Sequence, residues 1–221
     1  ARRSWLLLGN HRSWVDIPLL FDVLGRRMAF PRFFVKEELR WMPVIGFCCW
    51  ALDMPFMRRH TRAELAANPA AGRDDMEATR RACARFRGQP VTLVNFAEGT
   101  RYTGDKHTAQ RSPFRHLLRP KSGGLAFAMQ AMGDQFAGII DVTFIYRRTR
   151  RGALWGFLCG DQRGMRVHVE VLPIPDALAQ RGALSHAAYR ARCREWIEAL
   201  WAAKDARIER ALRDGDPDAG A

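Results

Sequence analysis

The chain has 221 residues, 48% of them hydrophobic, which excludes global disorder and allows a single domain with a substantial core. Lys and Arg total 36 against 23 Asp and Glu, a formal charge of +13, so anionic partners are favoured: nucleic acid, an acidic membrane surface or a phosphorylated substrate. The five cysteines (Cys48, Cys49, Cys83, Cys159 and Cys193) are odd in number and lack zinc-ligand spacing; we read them as reduced and mostly buried, which fits a cytoplasm-facing protein.

In chain order, Trp5 to Leu8 is an apolar run that ends at Gly9-Asn10 and reads as a buried strand. Trp14 to Leu24 reads as a helix, with Ser13 as N-cap and Trp14, Ile17, Leu20, Phe21 and Leu24 on one stripe. Phe33 to Val35 and Pro55 to Met57 are short strand candidates. Between them, Trp41 to Leu52 is an uncharged run of twelve residues containing Pro43 and Gly46. It is shorter than the roughly 18 residues of a spanning helix. It is either a buried core segment or one that dips into a membrane interface, helped by Trp41 and Trp50. Asp74 to Arg87 has helical spacing, and Val91 to Phe96 is strongly β-like.

Gly123 to Met132 reads as a small-residue helix and Ile139 to Ile145 as a buried strand. Met165 to Val171 alternates, with Met165, Val167, Val169 and Val171 on one face, as a half-buried strand does. Ser185 to Leu212 reads as a long amphipathic helix, with Tyr189, Cys193, Trp196, Ile197, Leu200 and Trp201 on its apolar side, and the tail after Asp214 frays. Short β-like runs alternating with helices predict an α/β fold. No composition shift marks a boundary, so residues 1–221 are expected to form one domain with a motif core at 9–146 and a C-terminal strand and helix region at 153–213. The sequence opens at Ala1, directly before an apolar run. It is expected to be part of a longer protein, with any spanning helix upstream.

Four segments carry candidate chemistry. In Asn10-His11-Arg12-Ser13-Trp14-Val15-Asp16, a histidine follows a strand at its carboxyl end, where ligands of open α/β sheets gather. Asp16 is spaced to reach back to one imidazole nitrogen, fix the tautomer and stabilise the imidazolium while the other nitrogen takes a proton. A substrate hydroxyl would stand where a protein nucleophile otherwise does. Taken alone, the pair better suits a structural role, or a surface histidine beside a helix-capping carboxylate. Phe96-Ala97-Glu98-Gly99-Thr100-Arg101 is a second strand-to-loop junction, with Gly99 for close backbone approach, Arg101 able to fork onto a phosphate, and Glu98 able to orient Arg101 or a hydroxyl. Phe56-Met57-Arg58-Arg59 is a third. Arg119-Pro120-Lys121-Ser122-Gly123-Gly124 suits an anion at a helix N-terminus but lacks the full phosphate-loop pattern.

In chain order, Asn10-His11…Asp16, Phe56…Arg59, Phe96-Ala97-Glu98-Gly99-Thr100-Arg101 and Ile140-Asp141-Val142-Thr143 resemble the four motif blocks of the lysophospholipid and glycerol-phosphate acyltransferase superfamily. Arg119-Pro120-Lys121 and Asp141-Val142-Thr143 are most similar to its lysophosphatidate and lysocardiolipin acyltransferase branch. Ala97 stands where the family usually has proline, and Thr143 where it often has proline; these departures blur the acceptor identity. The resemblance implies a mixed sheet flanked by helices. It implies that His11, held by Asp16, deprotonates the hydroxyl of a lysophosphatidate-like lipid, which attacks the thioester of acyl-CoA or acyl-carrier protein. It assigns the glycerol-phosphate part to Glu98, Gly99, Thr100 and Arg101, with help from Arg59 and, more weakly, Lys121. No metal or cofactor is expected, because a thioester is already activated.

The expected partners are the lysophospholipid acceptor, the thioester donor and an anionic membrane surface at the cytoplasmic face, and no nucleic acid. Other acceptors on the same fold, namely glycerol-3-phosphate, lysocardiolipin or an aminolipid, are the alternative. A non-catalytic basic module binding membrane or nucleic acid would explain the charge equally well. It would leave the His11–Asp16 spacing unexplained, and no nucleic-acid motif appears.

Overall fold

The computed structural model describes residues 3–54, 56–57, 86, 88–147, 153–160, 164–179 and 185–214. The apolar run near the start forms β1 (Ser4–Gly9), followed by α1 (Asp16–Leu24), β2 (Pro31–Phe33) and β3 (Val35–Lys36). A 3₁₀ helix (Glu37–Trp41), α2 (Pro43–Ala51), β4 (Phe56–Met57) and β5 (Thr92–Phe96) come next. Then follow α3 (Gly104–Ala109), α4 (Ser122–Met132), β6 (Phe136–Tyr146) and α5 (Ala153–Leu158). The chain closes with β7 (Met165–Leu172), α6 (Asp176–Ala179) and α7 (His186–Arg213).

The main sheet has the order β2-β5-β1-β6-β7. β1 is central and runs parallel to both β5 and β6; β2 is parallel to β5, and β7 is antiparallel to β6. This is the mixed sheet flanked by helices that the family resemblance implies, within the α/β class that the pattern predicts. β3 and β4 pair separately as a small parallel ribbon. Because β1 lies between two parallel neighbours, it is buried on both faces, which is why Leu6, Leu7 and Leu8 form an unbroken apolar run rather than alternating.

The two faces of the sheet carry separate cores. Leu7, Ile140, Val142 and Phe144 pack with Leu19, Leu20 and Leu24 of α1. Leu6, Leu8, Ile139 and Ile145 pack with α4 and with Tyr189, Cys193, Ile197 and Trp201 of α7. Each such side chain, fully buried, contributes about 1.5–3 kcal/mol.

Several expectations need correction. The first helix begins at Asp16 rather than Trp14: Ser13 Oγ accepts the N–H of Val15, making a turn ahead of the helix instead of capping it. Its buried positions are Asp16, Leu19, Leu20 and Leu24, so the predicted stripe is rotated, and Trp14 and Phe21 are exposed. The run from Trp41 to Leu52 is not core, because α2 lies on the surface with most of its apolar side chains in solvent. Cys48 and Cys159 are exposed and Cys49 is half-buried; only Cys193 among the described cysteines is buried, and all four are free. Val171 does not share the covered face of β7 and is exposed. The predicted helix at Asp74 to Arg87 lies, except for Phe86, outside the described residues.

Candidate active site

β1, β5 and β6 run parallel, so their carboxyl ends deliver His11, the Ala97–Arg101 loop and Tyr146 to one edge of the sheet. Asn10 sets the exit from β1. Buried and just beyond the strand, it donates from Nδ2 to the Phe144 carbonyl (3.0 Å) and accepts the Phe144 N–H at Oδ1 (2.9 Å). Its side chain thus continues the ladder after the backbone has left it. The backbone at His11 can then turn away without leaving β6 unpaired.

The Asp16 carboxylate does reach back: His11 Nδ1 lies 2.7 Å from Asp16 Oδ2. The same oxygen accepts the backbone N–H groups of Arg12 (2.7 Å) and Ser13 (3.0 Å). Oδ1 accepts the hydroxyl of Tyr146. Burial, and then the neighbouring Asp16 charge, push the Tyr146 phenol up, so it stays a donor. Asp16 is fully buried, while the His11 side chain keeps 15% exposure. The His11 ring lies on that of Phe96, centroids 4.3 Å apart. Gly9 leaves room beside this stack: a Cβ there would stand a tight 3.3 Å from two atoms of the Phe96 ring.

The second loop is laced to the first. Tyr102 N–H donates to the His11 carbonyl at 2.7 Å, the Arg12 guanidinium sits 4.5 Å over the Tyr102 ring, and that of Arg101 sits 4.5 Å over the ring of Trp14. Gly99 turns the loop at φ 68°, a conformation glycine adopts freely. Thr100 is half-buried, and its hydroxyl accepts from Lys106 Nζ at 2.8 Å. Lys106 also donates to the Arg101 carbonyl (3.2 Å). Lys121 is exposed at the start of α4, and its N–H donates to the Ala97 carbonyl (2.7 Å). Arg101 is likewise exposed.

Glu98 is placed differently from its sequence neighbours. It is fully buried and makes no ion pair with Arg101. Burial pushes its carboxyl up to about 8. The N–H groups of His11 and Leu118 and the indole N–H of Trp201 point toward it and oppose that rise, yet among the described residues neither oxygen closes a hydrogen bond. Arg59 lies outside the described residues.

Sequence reasoning missed Tyr146 and Lys106. The one signal for Tyr146 is its place at the carboxyl end of the strand beside β1; Lys106 gave none. Asp141 and Thr143, quoted only for the resemblance, face away from His11 and toward α7. Among the described residues, no cluster of His, Cys, Asp and Glu is arranged to hold a metal ion. Beside the 3₁₀ helix, Arg40, Gly46, Phe47, Trp50 and Phe56 line a cleft of about 400 Å³.

A protein-family model described as Acyltransferase matches residues 1–147. The chain is 24% identical over 227 residues to the 1-acyl-sn-glycerol-3-phosphate acyltransferase delta of Mus musculus, covering 97% of the chain and 55% of that relative. It is 25% identical over 191 residues to the epsilon form from the same organism, covering 76% and 50%, and 24% identical over 196 residues to the gamma form, covering 84% and 46%. The chain therefore spans about half the length of these curated relatives.

Proposed function

The chain belongs to the acyltransferase family, and from that premise we propose that it transfers a fatty acyl group from a thioester donor to the hydroxyl of a lysophosphatidate-like lipid. The observation that carries this reading is the His11–Asp16 pair, at 2.7 Å, with the exposed guanidinium of Arg101 in the adjoining loop. With Nδ1 tied to Asp16, Nε2 is the nitrogen that takes the proton of the acceptor hydroxyl. The hydroxyl oxygen bonds to the thioester carbonyl carbon. As the tetrahedral intermediate collapses, the C–S bond breaks and the leaving thiolate takes up the proton from His11, which frees the thiol and restores the neutral imidazole. Buried Asp16 stabilises the transient imidazolium. Arg101 and Lys121, with Arg59, receive the acceptor phosphate. Glu98, facing inward, supports the loop rather than touching the lipid. Acyl-CoA and acyl-carrier protein are both suitable donors, and in this reading the reaction needs no metal because the thioester is activated.

A membrane-bound acceptor has to be met at a lipid surface. Among the described residues, no helix is long and apolar enough to cross a membrane. α2 and the 3₁₀ helix before it leave Trp41 81%, Val44 75%, Phe47 65% and Trp50 68% exposed. They follow β2 at its carboxyl end, the His11 end of the sheet, so we assign this ledge to the bilayer interface.

The test is a panel of lysolipids, glycerol-3-phosphate and an aminolipid, offered with radiolabelled acyl-CoA to the intact protein and to a folded His11→Ala variant. Lysolipid-dependent release of free thiol, absent in the variant, is the expected result. Undiminished transfer by folded His11→Ala would overturn the mechanism, and preference for another acceptor would overturn the substrate.

A further inference from the structure

The family model ends at residue 147, yet a helix wholly beyond it reaches beneath the site. Lys204 of α7 is fully buried, and its Nζ donates to Asp141 Oδ1 (2.5 Å), the Val142 carbonyl (2.7 Å) and Thr143 Oγ1 (3.3 Å). These acceptors use all the donor capacity of an ammonium group. Arg207 adds bonds to Asp141 Oδ2 (3.1 Å), Thr143 Oγ1 (3.2 Å) and Glu170 on β7 (2.7 Å). One turn before Lys204, the indole N–H of buried Trp201 points at Glu98, and the Nε1 of the one and both carboxyl oxygens of the other lack any hydrogen-bond partner among the described residues. Further along α7, Asp205 accepts the N–H groups of Arg115 (2.9 Å) and His116 (2.8 Å), and the His116 carbonyl accepts from Arg12, next to His11.

The segment that Lys204 grips is not remote from the chemistry. The residue after Thr143 is Phe144, which holds Asn10, and two further on is Tyr146, which holds Asp16. One turn back on the same helix, Trp201 faces Glu98, the buried foot of the Glu98–Arg101 loop. This stretch of α7 therefore stands between the strand that fixes the base and the loop that carries Arg101.

We infer that Lys204 and Trp201 are positioning residues: from α7 they hold the Asp141–Thr143 segment of β6 and the underside of the Glu98–Arg101 loop in one arrangement, so that Arg101 and His11 face the same acceptor. The kinetic consequence rests on the acyl-transfer reading; the structural one does not.

Two variants of the intact protein test this. Trp201→Phe removes the N–H aimed at Glu98 together with part of the buried ring, so its effect is read at the loop against the strand core. Lys204→Met with Asp141→Asn removes the buried pair without leaving an unpaired charge. Amide hydrogen exchange at Ala97, Gly99 and Tyr102 is expected to quicken about tenfold in each, with Leu6 to Leu8 unchanged. The KM for lysophosphatidate is expected to rise about fivefold or more, with kcat changed less. Unaltered loop exchange in folded Trp201→Phe overturns the inference. So does a folded double variant with native loop exchange and native acceptor KM, whatever its melting temperature, since α7 would then be at most a prop. If the loop loosens but the native protein consumes no acyl-CoA with any lysolipid, the positioning stands and the proposed activity fails.

Discussion

The ring of His11 lies on the ring of Phe96, with centroids 4.3 Å apart and planes inclined by 17°. Phe96 is itself flanked by Phe33 at 6.2 Å and Phe144 at 6.4 Å. The imidazole is therefore fixed twice, in plane by stacking and in azimuth by Asp16. Phe96→Leu keeps apolar volume and loses the flat support. It is expected to lower kcat about tenfold, the worth of one good aromatic pair, with acceptor KM little changed. Steady-state acyl transfer checks this, and an unchanged kcat would mean that Asp16 alone sets the ring.

Asp16→Asn isolates the charge. The N–H groups of Arg12 and Ser13 hold the oxygen that faces His11, so an amide oxygen will take that position and the amide nitrogen will meet Tyr146. The geometry survives and the stabilisation of the imidazolium does not. kcat is expected to fall about 10²-fold or more while KM holds. Tyr146→Phe, which removes one donor and leaves the charge, is expected to cost less. A larger loss in Tyr146→Phe than in Asp16→Asn would reverse their roles.

Glu98 makes stability fall as pH rises. In the unfolded chain its carboxyl ionises near 4.5; in the fold it holds its proton to about 8. Below about 4.5 both states are protonated and there is no difference. Between about 4.5 and 8 the unfolded state releases the proton first, so folding loses free energy, on the order of a few kcal/mol by the upper end. Glu98→Gln removes this dependence. Its melting temperature should match the native protein near pH 4.5 and exceed it increasingly toward pH 8. A difference that does not grow with pH would place the titrating group elsewhere.

The exposed ledge has its own test. Trp41→Ser with Trp50→Ser removes the two largest exposed rings, at 81% and 68%. The pair is expected to weaken binding to vesicles of anionic phospholipid at least about tenfold, while turnover of a short-chain acceptor dispersed as monomers stays near native. Sedimentation of vesicles measures the first and thiol release the second. Equal partitioning of variant and native protein would remove the ledge from the interface.

What the sequence discloses is mostly what neighbours in sequence do together. His11 and Asp16 are five residues apart, and a strand–loop–helix passage leaves them little choice but to meet. The strands β1, β5 and β6 announce themselves as dense apolar runs because both their faces are covered. Trp14 and the run after Trp41 are ambiguous for the converse reason. Their apolar side chains fit helical spacing, but spacing does not tell a face turned to the core from one turned outward. The inward turn of Glu98 is equally hidden, because it depends on Trp201 and Lys204, a hundred residues away in the chain. Tyr146 reaches Asp16 only because β6 lies beside β1, a pairing no local pattern encodes.

The central place of β1 has a cost in time. Leu6 pairs with Leu93 on one side and with Ile139 on the other. During synthesis, at about 5–20 residues per second, the strand waits on the order of ten seconds between its own emergence and that of its second neighbour. Through that interval Trp5 to Leu8 is an apolar ribbon with at least one open edge, the kind that recruits other chains. The strand that leads to His11 is therefore also one where a nascent copy is open to misassociation, and Tyr146 must be made before Asp16 has its full set of partners.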